Sequence, residues 1–327
     1  MIAATTLRPL TERIAAAPIS WGVCEVPGWG WQHQPPTVLT QMRDLGIAAT
    51  EFGPDGFLPD DPQGKADTLA EYGLAAVGQF VPVVLHDPAI DPLRTVETAM
   101  AGLVAARATT VVIAAATGAE GYDARPELDE QGWTTLLTNL DRIADAAAAQ
   151  GLTATLHPHV GTMVESGEET DRVLAGSRIG LCLDTGHLLI GGGDPVRVAR
   201  EHPQRIAHMH LKDVDLAWAR KVQDGSASYT DAVAAGMYVA LGRGDVDIAA
   251  IVASLEAAGY GGWYVLEQDT VLAGDPADPA TPQGAADPVA DVRESVGYLS
   301  EVARVVEGSR GSSQSSSHLD QREGTQA

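Results

Sequence analysis

The stretch 178-RIGLCLDTGHLL-189 places an apolar run, Ile179 to Leu183, directly before Asp184 and His187. A charge at the end of a buried strand costs free energy unless something pairs it, so the acid there needs an explanation. Outward from this stretch the same unit recurs, a short apolar or β-branched run followed by a longer amphipathic segment. Runs of this kind stand at 16–22, 47–53, 74–82, 109–116, 152–159, 178–184, 205–211 and 263–268. Helices are expected at 37–45, 64–72, 91–107, 131–150, 168–175, 194–201, 247–258 and 287–306. Several should close on Gly46, Gly73, Gly151 or Gly259, because glycine accepts the left-handed conformation of a helix C-cap. Eight β-then-α units in a chain of 327 residues fit an α/β fold of the (β/α)8 barrel type better than an open doubly wound sheet, which commonly has fewer strands.

Residues 1–306 are expected to form one barrel domain, with 1–18 a short lead-in rather than a secretory signal, since Arg8, Glu12 and Arg13 interrupt any apolar core. From Gly308 the sequence GSRGSSQSSSHLDQREGTQA has almost no large apolar residue, so 307–327 is expected to be a disordered tail. The glycines of 191-GGGDP-195 lack the spacing of a phosphate loop and read as a lead into a helix starting at Pro195.

Composition narrows the function classes. No apolar stretch is long enough to span a bilayer, and two cysteines, Cys24 and Cys182, are too few for a disulfide framework. A cytoplasmic location with reduced thiols is expected. The net charge of -23 comes from 44 acids against 21 scattered Lys and Arg, which suits a solvated surface and argues against nucleic acid as a partner. Membrane partners are not expected, and association into a homo-oligomer is left open.

Barrels of this kind carry their chemistry at the C-terminal ends of the strands. Four such ends are polar: 156-LHPH-159 holds His157 and His159, the next run ends in Asp184, 205–211 holds His208 and His210 and is followed by Lys212, and 263–268 ends with Glu267. Residues two apart share one strand face, so Asp184 joins Gly180 and Cys182, Lys212 joins His208 and His210, and Glu267 joins Val265. Any one buried histidine is more often a hydrogen-bonded core residue than a ligand. Two carboxylates and two or three imidazoles in one apolar mouth are another matter, because they would repel and desolvate one another unless a cation held them. Carboxylate and imidazole without thiolate favour Mn²⁺ or Co²⁺, with Mg²⁺, Fe²⁺ and Zn²⁺ as alternatives.

The segments 182–215 (CLDTGH through HMHLKDVD), 156-LHPHVGTMVE-165, 50-TEFGPDGFLP-59 and 264-YVLEQD-269 resemble the xylose isomerase-like barrel superfamily of sugar isomerases, epimerases and inosose dehydratases. The resemblance runs from residue 14 to about 306. It implies metal ligation by Asp184, His210 and Glu267, with His157 standing where the superfamily commonly has a glutamate. His159 is expected to contact substrate, as are His208, Trp21 as a flat wall, and Glu165 from the loop. His187, Lys212 and Glu51 are the proton-transfer candidates.

The expected reaction is loss of an α-proton from a ketone through an enediolate that a divalent metal stabilises. Departure of the β-hydroxyl makes it a dehydration, of 2-keto-myo-inositol (inosose) or a similar keto-polyol. Return of the proton elsewhere makes it an isomerisation or epimerisation of a ketose or hydroxy-keto acid, the alternative. A third reading, of another class, is a catalytically silent barrel that binds a polyol.

Overall fold

A broken third strand closes the sheet on itself. A computed structural model of the chain describes residues 7–275, 278, 280–281 and 286–320, with side chains as far as 308. Its strands are β1 (Ile14–Ala16), β2 (Ala49–Thr50), β3 (Ala75–Ala76), β4 (Gly78–Val84), β5 (Thr110–Ala116), β6 (Thr153–Leu156), β7 (Gly180–Asp184), β8 (Ile206–Leu211), β9 (Asp213–Val214), β10 (Tyr238–Val239) and β11 (Tyr264–Leu266). Nine of them form a parallel sheet in the order β3-β2-β1-β11-β8-β7-β6-β5-β4. The two ends of that order, β3 and β4, are consecutive in the chain and separated only by Val77. Val77 N–H donates to Thr50 O at 3.0 Å, and Val77 O accepts from Thr109 N at 3.4 Å, so a single bent strand pairs on both sides. Counted so, the barrel has the eight strand positions expected.

Helices alternate with the strands close to the expected limits, among them Pro62–Glu71, Leu93–Ala105, Glu130–Ala149 and Ile248–Ala257. Gly46, Gly73, Gly151 and Gly259 all have φ between 71° and 83°, as C-capping requires. Asp194 accepts from Arg197 N–H to cap the helix opened by Pro195, as its sequence suggests. The small cluster Ala15, Ala17, Ala49, Val77 and Val265 packs on the inner face, while the large residues pack between sheet and helices.

Three features differ from expectation. The first strand ends at Ala16, and Pro18–Trp21 is a 3-10 turn stopped by Gly22 at φ 77°. Proline, which has no N–H to give a strand ladder, starts that turn. The final helix, Pro288–Asp320, runs past 306. It docks through Val292, Leu299, Val302 and Ala303, all of them within the expected barrel domain. Residues 321–327 lie outside the described residues. The third difference is an excursion after β8, for which no elements were expected: helices Leu216–Gln223 and Tyr229–Ala234 and an antiparallel β9–β10 pair. The buried Asp213 carboxylate anchors it by accepting from Val214, Gly242, Gly244 and Val246 N–H at 2.8–3.0 Å. No helix among the described residues is long and apolar enough to cross a membrane.

Candidate metal centre and active site

Register brings the polar strand ends together. Asp184 on β7 lies opposite His210 on β8, which in turn lies opposite Val265 on β11, and Glu267 N–H continues that ladder by donating to Leu211 O at 3.1 Å. On the other side His157 N–H donates to Ile113 O at 2.8 Å, which carries β6 one residue beyond its assigned end. Parity then turns His157, Asp184, His210, Lys212 and Glu267 into the same mouth.

Asp184 divides its two oxygens. Oδ1 caps the short helix Thr185–Ile190, accepting from Gly186 and His187 N–H at 2.9 and 2.8 Å. Oδ2 is buried without a hydrogen-bond partner, 3.3 Å from His157 Nε2 and 3.7 Å from His210 Nδ1. His210 Nδ1 is 3.2 Å from Glu267 Oε2 and also lacks a hydrogen bond, as do both ring nitrogens of His157. Native proteins rarely leave so many buried polar atoms unpaired. Ligand atoms each about 2.1 Å from one ion would stand about 3–3.4 Å apart at octahedral or tetrahedral angles. The observed separations match that scale, so these residues fit a divalent cation.

Two protonation states agree outright, whereas burial would lower His210 but Cys182, Glu267 and Glu51 outweigh it and hold it well above the usual histidine range, so that a cation would have to displace a proton from it. Burial pushes His157 down to about 4, leaving a neutral imidazole able to ligate. Burial would raise the Asp184 carboxyl, but Lys212 and His157 outweigh it and hold it at about 2. Burial raises Glu267 to about 7, an acid that gains from a cation beside it.

Glu51, at the end of β2, lines the mouth, but its Oε1 accepts from His208 Nε2 at 2.7 Å and from His210 Nε2 at 2.9 Å. Two imidazoles thus occupy one carboxylate oxygen of a residue expected to move a proton. The second bond places the His210 proton on Nε2 and leaves the Nδ1 lone pair facing Asp184 and Glu267, an arrangement that orients a metal-ligating histidine. His208, expected at the substrate, sits beneath the mouth instead, because it precedes His210 by one inward step of the strand.

His159 and His187 are stacked, ring centroids 3.7 Å apart. His159 Nδ1–H donates to Val160 O at 2.7 Å, so Nε2 is the unprotonated nitrogen. His187 Nδ1 accepts from Val160 N–H at 3.4 Å, which assigns the opposite tautomer with the proton on Nε2. Burial holds both well below the usual histidine range. His159 lines the cavity beside Phe80 and Tyr122, and His187 lies behind it.

Two expected substrate contacts are not brought to the cavity. Trp21 is completely buried in its 3-10 turn, and Trp29 stands in the wall in its place. Glu165 Oε2 accepts from Gly161 N–H at 2.7 Å and pairs with Arg125 Nε at 3.2 Å, which turns it away from the mouth. The sequence reading missed Asp269 and Tyr229. The Lys212 ammonium pairs with Asp269 Oδ1 and lies 3.0 Å from Glu267 Oε2, while Asp269 Oδ2 accepts from Tyr229 Oη at 2.8 Å. Asp269 was within reach of inference, since it shares strand parity with Glu267; Tyr229 belongs to the unforeseen excursion.

His157→Ala is expected to weaken divalent-cation affinity about 10-fold or more in calorimetric titration, whereas His157→Glu retains binding with altered metal preference. Unchanged affinity in the alanine variant would exclude His157 from the ligands.

Ligand-type side chains gathered at the C-terminal mouth of a closed parallel barrel define an enzyme scaffold of the (β/α)8 class. The chain belongs to the xylose isomerase-like TIM barrel family, whose model matches residues 39–301. It is 32% identical over 269 residues to the rhizopine catabolism protein MocC of Rhizobium meliloti, covering 80% of this chain and 82% of that protein. It is also 32% identical over 276 residues to an inosose dehydratase of Geobacillus kaustophilus, covering 80% and 89%. Among solved structures the fold is similar to an L-ribulose 3-epimerase, with a TM-score of 0.65, 16% identity, and coverage of 91% of this chain and 97% of that one.

Proposed function

We propose that the protein is a metal-dependent hydro-lyase that dehydrates inosose or a closely similar keto-polyol. The observation that carries the reading is the set of unpartnered buried donors on His157, Asp184 and His210, beside Glu267 and the Lys212–Asp269 pair. The resemblance to inosose dehydratases supports the substrate class. A divalent cation held by His157, Asp184, His210 and Glu267 supplies Lewis acidity toward a ketone and its neighbouring hydroxyl.

The remaining steps belong to the chain's own groups. His159, neutral and with its lone pair on Nε2, is the acceptor for the proton next to the ketone. His187 supports the ring of His159 from behind. Burial alone would lower the Lys212 ammonium, but Asp269, Glu267 and Asp184 hold it well above its ordinary value. Lys212 therefore stays charged and donates to substrate oxygen rather than accepting a proton. As the C–H bond breaks, its electron pair forms the new carbon–carbon double bond, and the β-hydroxyl leaves with a donated proton as water. The enol product relaxes to a 1,2-dione. Tyr229 and the excursion that bears it cover this side of the mouth.

The second reading, isomerisation or epimerisation, takes support from the fold shared with the L-ribulose 3-epimerase. Product mass separates the two. Incubated with inosose, the metal-loaded protein is expected to release a product lighter by one water, with rising ultraviolet absorbance and complete loss of activity on chelation. Interconversion of a ketose without change of mass, with inosose untouched, would replace this reading by the isomerase.

A further inference from the structure

The loop after β5, 117-TGAEGYDARPELD-129, has one aromatic residue, Tyr122, among small, acidic and turn-forming neighbours. β5 stands three strand positions from β1 on one side and three from β8 on the other, counting β3 and β4 as one. Hydrogen bonds from this loop nevertheless reach the segments that follow both. Tyr122 Oη donates to Glu25 Oε1, in the segment after β1, at 2.6 Å. Asp123 Oδ1 accepts from Thr230 N–H, in the excursion after β8, at 2.9 Å. Contacts between strand ends so far apart around a barrel run across its mouth rather than along its rim. The loop is therefore a strap over the site.

The strap rests on the segment that carries His159. Arg125 pairs with Glu169 at 2.7 Å and with Glu165 at 3.2 Å, both beyond β6. Tyr122 O passes so close to Gly161 that a Cβ there would run into it, and the φ of 76° at Gly161 favours glycine as well. These contacts fix the place of the Tyr122 ring, whose centroid lies 4.4 Å from that of His159. The His187 ring stacks on the same imidazole at 3.7 Å. With two rings packed on it and Nδ1–H bonded to Val160 O, His159 has Nε2 left for substrate.

We propose that Tyr122 is a positioning residue for the proton acceptor: held by the strap, its ring keeps the His159 imidazole aimed at the carbon that loses its proton. The inference rests on the reading of His159 as that acceptor. A general base works only within a narrow range of distance and angle, and a displacement of about 1 Å can cost about 100-fold in rate. The bond to Val160 O selects the tautomer but is a single point about which the ring can tilt. Packing on the ring is what fixes the direction of Nε2. The Tyr122 hydroxyl serves the strap instead. Burial and the Glu25 carboxylate hold it well above the usual tyrosine range, so it stays protonated and takes no proton from substrate.

The test compares Tyr122→Ala, Tyr122→Phe and the double variant Glu25→Ala, Asp123→Ala with the parent, all as metal-loaded full chains acting on inosose. Tyr122→Ala is expected to lower kcat about 10- to 100-fold, while KM and metal affinity change by less than about threefold. Tyr122→Phe keeps the ring and should restore kcat to within about threefold of the parent. The double variant leaves both rings in place but frees the strap, and should lower kcat about fivefold, so the test stands even if Tyr122→Ala folds poorly. An unchanged kcat in Tyr122→Ala or in the double variant overturns the proposal. So does a loss confined to KM, which would make Tyr122 a substrate contact. A loss in Tyr122→Phe as deep as in Tyr122→Ala overturns it too, by giving the role to the hydroxyl. If the parent does not dehydrate inosose, the failure lies with the reading of the mouth. Histidine ring ¹⁵N spectra then judge the positioning alone, with the His159 signals assigned by His159→Gln. The parent should show the single Nδ1–H tautomer and Tyr122→Ala a mixture of two, and an unmixed spectrum in Tyr122→Ala overturns the proposal.

Discussion

In the Asp184→Asn protein, affinity for a divalent cation falls by more than about 100-fold while the barrel stays folded. The two oxygens of Asp184 have separate tasks, and this substitution separates them. Oδ1 caps the Thr185–Ile190 helix through Gly186 and His187 N–H, and asparagine is an equally good cap. Oδ2 stands unpartnered beside His157 Nε2 and His210 Nδ1, and replacing it by an amide N–H₂ turns an acceptor into a donor. Removal of a ligand should exceed the roughly 10–100-fold cost typical of losing a group behind one. Equilibrium dialysis with elemental analysis reads the affinity, and circular dichroism confirms the fold. Full occupancy in the variant would remove Asp184 from the ligand set and, with it, the convergence on which the centre rests.

Lys212→Met is expected to destabilise the metal-free protein by about 3–5 kcal/mol and to lower turnover by at least about 100-fold while retaining metal. Methionine preserves most of the apolar stem but removes the ammonium that pairs with Asp269 and Glu267 and lies 3.9 Å from Asp184. Breaking a buried pair by deleting one partner leaves the other charged without compensation. A divalent cation should restore part of the stability, because it supplies charge to Asp184 and Glu267 but not to Asp269, which keeps the Tyr229 hydroxyl and, at 3.9 Å, His187 Nε2. Thermal unfolding with and without metal, together with kcat on inosose, checks both parts. A variant as active as the parent would show that Lys212 only balances charge.

The candidate centre was largely legible because strand parity is a local property. Asp184, His210, Lys212 and Glu267 each follow an alternating run, and the period of two fixes which side of the sheet they occupy. The misplaced residues are those whose position depends on a path between elements. Trp21 was counted on a strand that Pro18 ends early, and Glu165 lies on a loop where Arg125, forty residues away in sequence, captures its carboxylate. His208 has the right parity but the wrong depth, one step below the mouth.

The sequence by itself determined the alternation of strands and helices, their C-caps, and the inward face of each strand. These follow from interactions within a few residues: side-chain period, proline and glycine dihedrals, and capping. Only the tertiary structure decided that β3 and β4 close the barrel as one bent strand and that Glu51 serves two imidazoles. It likewise decided the opposite tautomers of His159 and His187 and the partnership of Lys212 with Asp269. Each of these depends on distances between atoms far apart in the chain, and those are set by how whole elements pack, a quantity that no local period encodes.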